Sequence, residues 1–123
     1  MLLLIDDEPD ILAEIQEWFE WQGWDCLCAG RLAEAERLLA GRDDIRLVVT
    51  DLKLVDGEAF GLIEARLARP PAPDFIIVTG HAGEPEIEHA RRIGVQLLHK
   101  PLDLAALDAA VAATGHLPRG TPS

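Results

Sequence analysis

The sequence predicts an α/β fold, a doubly wound five-stranded parallel sheet with helices on both faces. Three observations carry this. Apolar runs of strand length alternate five times with stretches of helical period. The middle runs, Leu47-Val48-Val49 and Phe75-Ile76-Ile77-Val78, are continuously apolar, as strands covered on both faces are. The 123 residues suffice for one domain but are too few for an eight-fold barrel, which leaves an open sheet with right-handed crossovers.

The first strand is expected at residues 2–6 and the first helix at 10–22, where Ile11, Leu12, Ile15, Trp18 and Phe19 recur at helical spacing. Trp18 and Trp24 read as packing residues. Trp21 also reads mainly as edge packing, but it falls off the apolar stripe, so exposure and a partner contact are the alternative. The second strand, 24–28, places Cys26 and Cys28 on one face. No second Cys or His pair stands at zinc-site spacing, so the two read as buried free thiols of a reducing compartment. The second helix follows at 31–40, the third strand at 46–50 and the third helix at 57–67. The fourth strand is placed at 74–79 and the fourth helix at 84–93, with Pro85 in its first turn. The fifth strand, 95–99, and fifth helix, 103–113, complete the pattern. Gly23, Gly41 and Gly94 stand where a left-handed residue ends a helix. The domain is expected to span 1–114. Residues 115–123, with Pro118, Gly120 and Pro122, read as a disordered tail.

The formal net charge of −11 argues against a basic surface for nucleic acid or anionic lipid and suits a cationic ligand or partner. The apolar start, Met1 to Ile5, stops at Asp6-Asp7-Glu8. It lacks a basic segment before it and is far too short to span a bilayer. A cytoplasmic protein without membrane contact is expected.

Ligands of open parallel sheets bind at the carboxyl ends of the strands. Those ends carry Asp6-Asp7-Glu8, Asp51, Thr79-Gly80-His81 and Lys100-Pro101. Close carboxylates repel one another unless a cation sits between them. Oxygen donors without Cys or His suit Mg²⁺ or Mn²⁺, completed by a loop carbonyl after Asp51 and by water. Thr79, Lys100 and the Gly80 N–H are what a phosphoryl group needs around it, and the Asp51 carboxylate can form an acyl phosphate. The chain has nine arginines but only two lysines, Lys53 and Lys100, and both fall beside this edge. A lysine is a compact charge on a flexible stem, suited to a phosphoryl oxygen in a tight pocket.

From Leu2 to about Ala113 the chain resembles the receiver domains of two-component response regulators. The pieces that carry the resemblance are Ile5-Asp6-Asp7-Glu8-Pro9, Val49-Thr50-Asp51-Leu52-Lys53-Leu54, Val78-Thr79-Gly80-His81 and His99-Lys100-Pro101. The resemblance implies a flavodoxin-like strand order, 2-1-3-4-5. It implies that Asp51 accepts the phosphoryl group and that Asp6 and Asp7 hold Mg²⁺, with Asp7 the direct ligand and Asp6 acting partly through water. It assigns the Lys53 backbone to the metal, through its carbonyl, and to the phosphoryl group together with the Gly80 backbone. Thr79 is then the hydroxyl that moves to the phosphoryl group, and Lys100 pairs with Asp51 or its phosphate. The implied donor is a phosphohistidine on a histidine kinase or phosphotransfer protein. Such a protein is not a turnover enzyme, though it assists its own phosphorylation and dephosphorylation. The run Leu97-Leu98-His99-Lys100-Pro101 is similar to receivers attached to hybrid sensor kinases, so both a stand-alone regulator and a domain of a larger protein fit.

Departures from the family are Val55 in place of proline and Ala59 in place of glycine, both expected on a surface loop. Leu97 stands where a switching Tyr or Phe is usual. His81, two residues past Thr79, is a candidate modulator, whereas His99 reads as an ordinary polar residue. Two other functions compete. A binding module that works without phosphorylation should lack an acid, the threonine or the lysine, and this chain keeps them all. A Mg²⁺-dependent phosphatase of the haloacid-dehalogenase type wants a second Asp two residues after the nucleophile, where Lys53 stands.

Overall fold

The computed structural model describes residues 1–116. Five parallel strands form the sheet: β1 (Leu2–Ile5), β2 (Cys26–Ala29), β3 (Leu47–Asp51), β6 (Asp74–Thr79) and β7 (Gln96–His99), in the order β2-β1-β3-β6-β7. This is the expected 2-1-3-4-5 arrangement once a small antiparallel hairpin is set aside. That hairpin, β4 (Lys53–Leu54) with β5 (Gly57–Glu58), follows β3 and takes up residues expected to begin the third helix. The helices are α1 (Pro9–Trp21), α2 (Leu32–Gly41), α3 (Ala59–Leu67), α4 (Glu84–Ile93) and α5 (Leu104–Thr114).

Strand alternation divides the core in two. Leu3, Ile5, Val48, Phe75 and Ile77 face α2, α3 and α4, where Leu32, Ala35, Leu39, Phe60, Ile63 and Ala90 meet them. Leu2, Leu4, Leu47, Val49, Ile76 and Val78 face α1 and α5 and pack on Ile15, Phe19, Leu107, Ala110 and Val111. Both faces of the middle strands are therefore covered, which is why those strands contain no polar alternation.

The second strand starts two residues later than expected. Gly23, at φ 97°, turns the chain out of α1, and the Trp24 N–H donates back to the Phe19 carbonyl at 3.0 Å. Trp24 is thereby held in the core edge-on to Phe19, with ring centres 6.1 Å apart. The shift is even, so Cys26 and Cys28 keep one face, and both are free thiols, but they are half-buried at the sheet edge and not buried as expected. Partial burial, joined by the negative charge of Glu20, pushes the Cys26 thiol up to about 12 and raises Cys28 as well, which favours the protonated form of both.

Gly94 ends α4 in the left-handed region, as expected, but Gly41 does not end α2 that way. It is the last residue of α2, and the chain leaves through an extended Arg42. Gly115, placed in the tail by sequence, has φ 81° and caps α5. His116 then lies 2.7 Å from an Asp74 carboxylate oxygen. The rest of the expected tail, residues 117–123, lies outside the described residues. No described helix is long and apolar enough to cross a membrane.

Two contacts tie the loop after β3 to its surroundings. The Asp56 carboxylate accepts the N–H groups of Leu32 and Ala33 at 3.0 and 3.1 Å, capping α2 from a distant point in the chain. Phe60, at the start of α3, stacks on His89 of α4 with centroids 3.9 Å apart, while His89 meets Glu64 at 2.7 Å. The two N–H bonds hold the Asp56 carboxyl below its ordinary value of 3.8. A lowered carboxyl value means stability present above 3.8 and lost as pH falls through the folded value. Asp56→Ala should therefore lower urea-unfolding stability at pH 7. The gap from wild type should narrow steadily as titration proceeds from pH 5 toward pH 3, and a pH-independent gap would rule out the capping charge.

Candidate functional site

The site forms where β1, β3, β6 and β7 end. In register, Ile5 stands beside Thr50, Asp51 beside Val78, and Thr79 beside His99. The residues that follow each strand thus come to one edge. Asp6 is nearly buried, while Asp7 is half-buried and Glu8 exposed. Each of these three acids offers a carboxylate oxygen within 4.8 Å of the others. Asp6 is fixed on both sides. Its N–H donates to the Ala29 carbonyl at 3.1 Å, and its Oδ1 accepts the Glu8 N–H at 2.9 Å.

Asp51 is the last residue of β3, one position further into the strand than the sequence suggests. Its Oδ1 accepts the Leu52 N–H at 2.7 Å, which orients the carboxylate. Its Oδ2 accepts from Lys100 Nζ at 3.0 Å, and the same ammonium donates to Asp6 Oδ2 at 3.3 Å. Burial alone pulls the Lys100 ammonium down. The bond to Asp51 and the charges of Asp51 and Asp6 more than offset this and raise it above its ordinary value. Lys100 is therefore a full positive charge at neutral pH, set between two carboxylates.

Thr79 is buried at the end of β6, and its Oγ1 accepts the His81 N–H at 3.2 Å. Its carbonyl accepts the Lys100 N–H at 2.9 Å, so hydroxyl and ammonium sit on adjacent strand ends. Gly80 is exposed, with open space where a side chain would stand. His81 is exposed beside it. Lys53 lies in the hairpin and is exposed, and Leu97 is half-buried against the core on the α4 face. His99, exposed at the end of β7, makes no side-chain hydrogen bond among the described residues.

Of the expected cluster, Asp6, Asp51, Lys100 and Thr79 are thus joined by bonds or strand register, with Asp7 next to Asp6. Asp51 stands outside the compact acid group and is linked to it through Lys100. Glu8, read from sequence only as part of an acidic run, belongs to that group. Thr50 was not singled out, yet its buried hydroxyl donates to the Asp51 carbonyl at 2.8 Å. A hydroxyl directly before an acid gives no signal without the strand geometry. Ala59 departs from its expected surface position: it is fully buried at the first turn of α3, where its N–H donates to the Leu52 carbonyl at 2.8 Å. Val55 is exposed on the loop, as expected. The donor set fits a hard divalent cation: carboxylate oxygens within reach of one another and no sulfur or imidazole among them.

Comparison with known proteins identifies the family. The chain matches the family described as "Response regulator receiver domain" over residues 2–112. It is 33% identical over 96 residues to the two-component response regulator PprB of Pseudomonas aeruginosa, covering 76% of this chain and 35% of that protein. It is 32% identical over 111 residues to PilR of the same organism, covering 89% of this chain and 25% of that one. The chain therefore spans about a quarter to a third of these relatives. Among solved structures, the non-phosphorylated HemR receiver domain of Leptospira biflexa superposes with a TM-score of 0.84 at 27% identity, covering 98% of each chain. A receiver domain protein of Clostridium thermocellum superposes with a TM-score of 0.83 at 28% identity, covering 91% of this chain and 90% of that one. The protein belongs to the response regulator receiver domain family.

Proposed function

We propose that this receiver domain is a phospho-acceptor switch or relay in which Asp51 takes a phosphoryl group from a phosphohistidine on a histidine kinase or phosphotransfer protein. The observation that carries the reading is the Lys100 ammonium bonded to both Asp51 and Asp6 beside three convergent carboxylates. A carboxylate oxygen of Asp51 forms the new P–O bond as the P–N bond to the donor imidazole breaks, and the ring keeps the electron pair. Lys100 then neutralises charge on the transferred oxygens. The Leu52 N–H holds the carboxylate in line, and Thr79 offers its hydroxyl from the neighbouring strand. Asp6, Asp7, Asp51 and the Lys53 carbonyl would hold Mg²⁺, with Mn²⁺ a substitute and Glu8 close enough to assist. When bound, the ion supplies positive charge against the carboxylates and phosphoryl oxygens. Lys53 and Gly80 offer backbone N–H groups to the phosphoryl group, and His81 modulates its loss. We place the domain in the cytoplasm, with no direct nucleic-acid contact of its own.

Acetyl phosphate with Mg²⁺ should add one phosphoryl group to Asp51, read as a mass increase on the intact protein. Asp51→Asn should abolish it, and labelling that persists in that variant would refute the assignment.

Asp7→Ala should weaken Mg²⁺ binding more than Asp6→Ala, because Asp6 already spends its oxygens on Glu8 and Lys100. Calorimetric titration with Mg²⁺ measures this, and unchanged affinity in both variants would remove the acidic edge as the metal site.

Leu97 sets how far the switch reaches. It has no ring to swing and no hydroxyl to expose, so a rotamer change moves little area between water and core. At about 25 cal/mol per Å², little area gives little bias between states. The loop after Asp51 is better connected. It caps α2 through Asp56 and reaches α4 through the Phe60–His89 stack. Amide shifts with and without beryllofluoride should change chiefly over residues 51–60 and 79–87. Large changes centred on Leu97 and α5 would overturn this route.

A further inference from the structure

On the amino edge of the sheet, away from Asp51, α2 and α3 end side by side and leave an open groove of about 1040 Å³. Leu39, Leu62 and the prolines of the 71–73 turn give it apolar walls. Four of the nine arginines line it: Arg42, Arg46, Arg66 and Arg69. In a chain with 22 acidic and 11 basic residues, this grouping runs against the overall charge.

The four are not equivalent. Arg42 is neutralised by a two-pronged pair with Asp44, at 2.9 and 2.8 Å. Arg46, Arg66 and Arg69 have no carboxylate partner among the described residues. Arg66 donates instead to the carbonyls of Arg69 and Pro71 at 3.0 and 3.3 Å, which shapes the turn. Its buried Nε has no acceptor among the described residues. Glu36 and Asp43 also line the groove, and even with them and Asp44 counted the groove is net positive. Arg46 and Arg69, exposed and bonded to no carboxylate among the described residues, are ready donors for an oxyanion, since their planar forks match phosphate oxygens.

We propose that this groove binds a small anion with a flat apolar body, of the nucleotide class. The guanidiniums of Arg46 and Arg69, both exposed, would take the phosphate oxygens, with the Arg66 charge behind them. The exposed Pro71 and Ala72 of the turn would take the ring face. The size of the groove is that of a small-ligand site, which favours a nucleotide over a polymer. The site is independent of Asp51 and of the acidic edge.

The test is calorimetric titration of the full chain, in EDTA so that no divalent cation bridges phosphate to the acidic edge. The probes are ATP, GTP and a cyclic dinucleotide, with inorganic pyrophosphate and a Glu-rich peptide as comparators. At least one nucleotide should bind with a Kd of about 100 μM or tighter. Binding should weaken several-fold on raising salt, because the contacts are exposed charges. The double variant Arg46→Glu/Arg69→Glu should lose about tenfold or more, with acetyl-phosphate labelling of Asp51 unchanged. If that variant melts early, Arg69→Gln read by amide shifts over residues 39–46 and 62–73 replaces it. No nucleotide binding tighter than about 1 mM would overturn the proposal. So would insensitivity to the arginine variants, shifts confined to the acidic edge, or pyrophosphate or peptide binding as tightly as any nucleotide.

Discussion

One ammonium group, the Nζ of Lys100, holds the carboxyl edge of this protein together. It reaches from the end of β7 past Thr79 on β6 to the last residue of β3 and the residue after β1. A short side chain could not cross the intervening strand, so the position demands a long stem with a charge at its tip. The dependence is mutual. Asp6 is 5% exposed, and a carboxylate so buried is costly unless paired. The whole strand order serves this meeting, since only a parallel sheet with β1 and β3 adjacent brings both acids to one edge.

The loop after Asp51 connects that edge to the rest of the molecule by bonds that differ in kind. Leu52 is tied to Asp51 by its N–H and to α3 by its carbonyl. Asp56 lends a charge to the start of α2, and Phe60 lends a ring face to α4. A shift of the Asp51 carboxylate therefore touches three helices through one short segment. The half-buried Leu97, by contrast, meets only its neighbours in an apolar layer.

Much of this was legible in the sequence because it is local. Continuous apolar strands, the helical period of α1 and the turns at Gly23 and Gly94 follow from side-chain size and backbone freedom. The acids, hydroxyl and lysine of the edge were legible because chemistry-bearing residues closed otherwise apolar strands. What escaped depends on contacts between distant segments. Asp56 caps a helix 24 residues upstream. Thr50 acts through the carbonyl of its neighbour. The Lys53–Glu58 hairpin replaced the expected first turn of α3 because pairing within the loop competed with helix. Gly41 resembled a left-handed helix terminator, yet it is the last helical residue of α2, since glycine permits a left-handed turn without requiring one.

Asp108 of α5 accepts from Trp18 of α1 and from Gln22 just past its end, each at 3.1 Å. Helices α1 and α5 are thus clasped over the same half of the core, the cluster that holds Phe19, Leu107 and Val111. During synthesis the first helix leaves the ribosome long before its partner does. Until α5 arrives, Leu2, Leu4, Phe19 and Trp24 have only part of their cover. Native packing on that face is consequently a late event, and a chain stalled before α5 presents a greasy, unfinished surface to the chaperones that meet it.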